Sequence, residues 1–182
     1  MIIRSQYMEL LKTYRDVPLV KILAGIRRCG KSTILEMLRD DLQNNGVAAD
    51  HIISMCYTSE DFDDGMTDKD MYEGIKAQMN SGGRYYLLLD EAQEIDGWEK
   101  AVNSLLENTD TDIYVTSSNS KLMSSEISTY LTGRYISIPV YTLSFAEYLE
   151  FKKQSGLSTR ELLNEYIRLG GFPIVALSSF VE

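Results

Sequence analysis

This chain is short of the residues that staple a fold, bind zinc or enter a membrane. Its 182 residues hold two cysteines, Cys29 and Cys56, and one histidine, His51. Two cysteines build no disulfide framework, so a reducing, cytoplasmic setting is expected. With a single histidine they assemble no zinc site either. His51 opens a strand-like run and reads as structural. No apolar run approaches the roughly 18 residues of a membrane span. The N-terminus shows no basic segment followed by an apolar one, so no secretory signal is expected. Basic charge is scarce as well: 18 Lys and Arg face 27 Asp and Glu, a net charge of −9. A surface that coats nucleic acid needs a basic footprint, which leaves room here for a local basic groove at most. The acidic excess reads as solubility through self-repulsion. No repeat and no low-complexity linker divides the chain, whose length suits one domain with a sizeable core.

What is present is a phosphate-binding pattern. Gly25-Ile26-Arg27-Arg28-Cys29-Gly30-Lys31-Ser32 matches G-x-x-x-x-G-K-[ST]. The two glycines let the backbone bring its N–H groups close to phosphate oxygens. Lys31 reaches the β- and γ-phosphates as a mobile cation. Ser32 offers a hydroxyl to Mg²⁺ while Thr33 continues the first turn of a helix, whose N-terminus favours anions. The context suits the motif. The run Leu19–Ala24 reads as a strand before it, and Ile34, Leu35, Leu38 and Leu42 fall on one helical stripe after it. The expected nucleotide-binding set is Gly25, Arg28, Cys29, Gly30, Lys31, Ser32 and Thr33. Cys29, beside Arg28 and near Lys31 at a helix start, is expected to have a lowered pKa and to alkylate faster without nucleotide.

The remaining periodicities alternate strand and helix. Residues 5–14 carry Met8, Leu11 and Tyr14 at helical spacing, and Asp16-Val17-Pro18 ends that helix. His51–Tyr57, Tyr85–Leu89, Asp112–Thr116 and Tyr135–Val140 read as further strands. Met71, Ile75 and Met79 mark one helix, and Trp98, Ala101, Val102, Leu105 and Leu106 mark another. Residues 120–131 look helical. The pairs Thr67/Asp70, Ser144/Glu147 and Ser158/Glu161 have the spacing of capping boxes. The acidic stretch from Glu60 to Asp70 lacks the spacing of a calcium loop and reads as solvated. Five strands separated by helices predict an α/β fold with a mostly parallel sheet and helices on both faces.

A second signal lies at the end of the apolar run Tyr85–Leu89, where Asp90 and Glu91 follow. Asp90 suits the Mg²⁺ shell opposite Ser32. Glu91 is the expected general base for water attacking a γ-phosphate. A third signal is Ser117, Ser118 and Asn119 at another strand end, where ligands of parallel sheets sit. Asn119 has both donor and acceptor and is a candidate catalytic sensor; helix capping by Ser118 or Ser120 is the structural alternative.

These motifs, with Leu131-Thr132-Gly133-Arg134, Leu143-Ser144-Phe145-Ala146-Glu147-Tyr148 and Gly170-Gly171-Phe172-Pro173, occur in one order along nearly the whole chain. In that order they resemble the prokaryotic AAA-type P-loop ATPases. The resemblance implies a five-stranded P-loop NTPase sheet of order 5-1-4-3-2, Walker A at residues 25–32 and Walker B at Leu87–Glu91. It implies ATP and Mg²⁺ as ligands and a polar sensor near Ser118 or Asn119, although Ser117 stands where family members often have Gly. It further implies Arg134 as an arginine finger, acting in cis or toward a neighbouring subunit. The organisation it implies is an N-terminal helix over 1–18, the ATPase core over 19–142, and a helical extension over 143–182, truncated before a C-terminal domain of unassigned function. The expected activity is Mg²⁺-dependent ATP hydrolysis coupled to an unidentified partner or to the missing C-terminal domain, with a homo-oligomer or another protein as the expected partners. A nucleotide-gated switch with little turnover is the alternative. A small-molecule kinase is disfavoured because Glu91 beside Asp90 argues for water as nucleophile.

Overall fold

The computed structural model describes residues 2–58, 65–118 and 130–178. Among them are five strands: β1 (Val20–Ala24), β2 (Ile52–Cys56), β3 (Tyr85–Asp90), β4 (Thr111–Ser117) and β5 (Tyr135–Pro139). They form one all-parallel sheet of order β2-β3-β4-β1-β5. Read from the other edge this is 5-1-4-3-2, as expected. Helices α1 (Ser5–Thr13), α2 (Lys31–Asn44), α3 (Asp68–Lys76) and α4 (Trp98–Asn108) flank it.

Strand periodicity explains the layering. Alternate side chains of one strand face opposite ways. Val20, Ile22, Leu87, Leu89, Ile113 and Val115 pack with Met71 and Ile75 of α3 and with Trp98, Val102 and Leu105 of α4. Their neighbours Leu23, Tyr86, Leu88 and Tyr114 pack on the other face, with Tyr7, Met8 and Leu11 of α1 and Ile34, Leu38 and Leu42 of α2. The N-terminal helix is therefore part of a core layer. Strands buried on both faces are what the continuous apolar runs require.

Three short helices follow the sheet: α5 (Phe145–Phe151), α6 (Thr159–Leu169) and α7 (Pro173–Leu177). Their core is a small cluster of Leu143, Tyr148, Leu162 and Ala176, distinct from the two sheet layers. All three expected capping boxes form, at Thr67/Asp70, Ser144/Glu147 and Ser158/Glu161. Helix α7 lies beyond the point where the sequence reading ends the last helix; Pro173 at its first turn is the start signal for it. The expected helix over 120–131 and the acidic residues 60–64 fall mainly outside the described residues. His51 is structural, stacked on Tyr85 with ring centroids 4.6 Å apart and bonded to Ser81 Oγ at 2.9 Å. Among the described residues no helix is long and apolar enough to cross a membrane.

Candidate nucleotide site

A parallel sheet gathers the carboxyl ends of its strands on one edge. Here β4 lies between β1 and β3, with Ala24 opposite Ser117 and Leu89 opposite Val115. The loop after β1 and the acidic pair at the end of β3 are thereby placed on either side of the β4 terminus.

The loop after β1 is held by sterics and by handedness. A Cβ on Gly25 would lie 2.2 Å from the carbonyl oxygen of Val140, so no side chain fits. Arg28 has φ +67° and Gly30 φ +100°, both left-handed, with Cys29 between them. Such alternation turns successive N–H groups toward a common concavity and makes an anion nest. Gly30 then caps α2, whose first-turn N–H groups lack intrahelical acceptors. Arg28, Ser32 and Thr33 are exposed there, while Lys31 is buried.

The Lys31 ammonium donates to the carbonyls of Gly25 at 3.0 Å and Ile26 at 3.3 Å. It also pairs with Glu91 Oε1 at 3.3 Å. Glu91 is 8 % exposed and left-handed at φ +51°. Its Oε2 accepts from Gln93 Nε2 at 2.6 Å and from the Ser118 amide at 3.0 Å. Burial pushes the Glu91 carboxyl upward, but hydrogen bonds from Ser118 and Gln93 and the Lys31 charge outweigh it, leaving the pKa below the usual value. A left-handed non-glycine residue stores strain that the surrounding bonds must hold. Arg28 and Glu91 are two of the three such residues among those described, and both lie at this edge.

Asp90 lines a cleft of about 190 Å³ together with Ser32, Glu36, Arg39 and Cys56. Its Oδ1 accepts from the Thr116 hydroxyl, and the same hydroxyl accepts from the Glu91 amide at 2.9 Å. Buried Thr116 thus orients both acidic residues. Thr116 carries no mark of a site in the sequence, because a threonine inside an apolar strand looks like β-propensity alone. Its position opposite Asp90 in the register was the available signal.

Two expectations change. Cys29 is fully buried against the α2 layer. Burial pushes its thiol above the ordinary value, more than the Lys31 and Arg4 charges lower it. The lowered pKa and fast alkylation expected for Cys29 do not follow; its side chain turns away from the nest. Arg134 precedes β5, and its carbonyl accepts from the Val20 amide at the start of β1. That is the sheet edge away from the phosphate loop, five strand residues distant, or roughly 16 Å. Its guanidinium bonds Asn103 at 2.9 Å and pairs with Glu107 on α4. Within this chain Arg134 is thus not brought to the phosphate loop. Ser117 is buried in β4, Ser118 supplies the amide on Glu91, and Asn119 lies outside the described residues.

Comparison with known proteins fits this geometry. Residues 18–149 match the family described as AAA domain. The chain belongs to the AAA domain family. An uncharacterized protein of Haemophilus influenzae is 38% identical over 181 residues, covering 98% of this chain and 45% of the relative. One from Methanocaldococcus jannaschii is 32% identical over 172 residues, covering 87% of this chain and 36% of the relative. The chain therefore spans under half the length of either. Among solved structures, the AMPPCP-bound DnaA of Aquifex aeolicus aligns at a TM-score of 0.60 and 14% identity, over 94% of this chain and 58% of that one. A DNA polymerase III gamma subunit-related protein of Thermotoga maritima aligns at 0.57 and 14% identity, over 94% and 69%. At that identity the two structures show the shared fold. This AAA domain carries the fold's loop and acidic pair on one sheet edge.

Proposed function

We propose that this AAA domain binds ATP and hydrolyses it in a Mg²⁺-dependent reaction. The observation that carries the reading is the convergence of two separate elements: Lys31 of the loop lies 3.3 Å from Glu91, and Ser32 shares a cleft with Asp90. The loop residues Gly25, Arg28, Cys29, Gly30, Lys31, Ser32 and Thr33 surround the phosphates, Cys29 through its backbone. The Ser32 hydroxyl and Asp90 carboxylate are hard oxygen donors that fit Mg²⁺, which when bound neutralises phosphate charge. Glu91 takes the proton of the attacking water, and the Ser118 amide and Gln93 fix its direction. A mainly apolar cavity of about 220 Å³, lined by Ile2, Thr33, Met37, Phe151 and Pro173 with Gly30 and the buried Arg4 at its wall, adjoins the loop and receives the base. The helical unit over 143–178 and a protein partner or further domain are the proposed recipients of the hydrolysis energy.

One observation favours a second reading, a nucleotide-gated switch with little turnover. Glu91 already has three polar partners that hold its pKa low, which weakens it as a base. Glu91→Gln separates the two. For an ATPase it should cut phosphate release by about 100-fold or more while ATP binding persists. For a switch, release stays near its already low value. Lys31→Ala should weaken ATP binding in both cases. Failure of the unaltered protein to bind ATP with Mg²⁺ would remove both readings.

A further inference from the structure

Arg4, just before α1, is 4 % exposed and makes contacts that no nucleotide motif accounts for. A guanidinium has five N–H donors in a rigid fork. All five are used. Nε and Nη2 donate to the two carboxylate oxygens of Glu147 at 2.8 and 3.2 Å. Nη1 donates to the carbonyls of Cys29 at 3.1 Å and Tyr141 at 3.0 Å, and Nη2 reaches the Thr142 carbonyl at 3.5 Å. The plane lies over the Tyr7 ring at 4.5 Å, and the Tyr7 hydroxyl accepts from the Tyr141 amide at 3.1 Å. With every donor engaged, Arg4 is not itself a phosphate ligand.

Its contact with Cys29 has a consequence for the loop. In a trans peptide the carbonyl and the following N–H point in opposite directions. Holding the Cys29 carbonyl against Arg4 therefore sends the Gly30 N–H away from Arg4. Gly30 is the left-handed residue that closes the Arg28–Gly30 alternation. Arg4 is itself held by Glu147, whose carboxylate also accepts from the Ser144 amide at 2.8 Å in the capping box of α5. One side chain thus joins the phosphate loop, the segment after β5 and the first turn of α5.

We propose that Arg4, anchored by Glu147, is a positioning residue that aims the Gly30 N–H into the phosphate nest and ties the loop's shape to α5. The proposal rests on the nucleotide reading above. Arg4→Lys keeps the charge but has three donors on a point cation, too few for five acceptors. The probes are ADP, titrated without Mg²⁺, and the Gly30 amide resonance of the nucleotide-free protein. Thermal melting confirms that each variant is folded at the assay temperature. Folded Arg4→Lys should shift the Gly30 resonance and bind ADP at least tenfold more weakly, whereas general loss of stability would lower the melting midpoint alone. If Arg4→Lys does not fold, Glu147→Gln, which leaves Arg4 in place with a weaker anchor, should show the same two changes. Unaltered ADP affinity in a folded variant overturns the proposal. If the wild type fails to bind ADP, ATP with Mg²⁺ replaces it as the probe with the same outcomes; if that too is not bound, the nucleotide reading fails, and the Gly30 resonance alone decides: a shift supports the clamp and its absence overturns it.

Discussion

Lys21 and Asp112 form a buried ion pair, their side chains 0% and 1% exposed, and removing one partner should be far more damaging than removing both. Lys21 sits on β1 and Asp112 on β4, near the amino ends of the strands. The Lys21 ammonium also donates to the Val17 carbonyl at 2.7 Å. Asp112 Oδ2 accepts from the Tyr114 hydroxyl at 2.8 Å and the Asp16 amide at 2.9 Å. Burial pushes the Lys21 pKa down despite Asp112, a sign of how strongly the site disfavours lone charge. Lys21→Met keeps the aliphatic volume and leaves Asp112 with two neutral donors. Breaking such a pair costs about 3–5 kcal/mol. For a domain of this size that is about 6–20 °C in melting midpoint. Lys21→Met/Asp112→Asn removes the stranded charge and should recover at least half of the loss. Differential scanning calorimetry of the single and double variants gives both numbers. Lys21 is three residues before Ala24, roughly 10 Å along the strand, so ATP affinity of the folded variants should be unchanged. A single variant within about 1 kcal/mol of wild type, or a double variant as unstable as the sum of the singles, would refute the reasoning.

Three further outcomes are expected. Thr116→Val removes the hydroxyl that orients Asp90 and Glu91; loss of a buried hydrogen-bonded group predicts about 1–3 kcal/mol of destabilisation and weaker Mg²⁺ dependence of nucleotide binding, read by melting and by titration with and without the ion. In the native protein a maleimide should label exposed Cys56 and leave buried Cys29 intact until denaturant is added, which mass spectrometry of the peptides checks. Asp41 accepts from Lys12 at 2.8 Å and pairs with Arg15; burial pushes its carboxyl up, but these partners hold it below the ordinary 3.8. A carboxyl lowered by folding stabilises above its unfolded pKa, and that contribution fades as pH falls through the native value. Asp41→Asn should therefore be less stable than wild type at pH 6, and the gap should close on acidification below pH 3.8, as urea titrations would show.

The sequence made some of this legible because the chemistry is local. Gly25 to Ser32 is a contiguous string in which the two glycines, the lysine and the serine are each demanded by the chemistry, and Asp90-Glu91 closes an apolar run that reads as a buried strand. Periodicity gives the strands and their parallel pairing, while their order comes from the resemblance alone. Other features depend on where the topology carries a side chain. Arg4 meets Tyr141, Thr142 and Glu147 across most of the chain, and nothing in its own neighbourhood announces them. Cys29 has cationic neighbours in sequence, yet its thiol faces an apolar layer, so burial decides its acidity. Arg134 is a finger candidate only through the resemblance; the parallel register puts the start of β5 at the end of the sheet away from the loop. Thr116 carries no signature until the pairing of β3 with β4 sets it beside Asp90.

The position of Lys31 has an implication for timing. Its ammonium is shared between two loop carbonyls and the Glu91 carboxylate. On the proposed reading, a triphosphate must win that cation from the carboxylate. Arrival of the anion would then be the event that frees the base, making readiness for chemistry conditional on occupancy. An ATPase wired in this way keeps its water-activating group muzzled by its own phosphate-binding lysine until there is something to cleave.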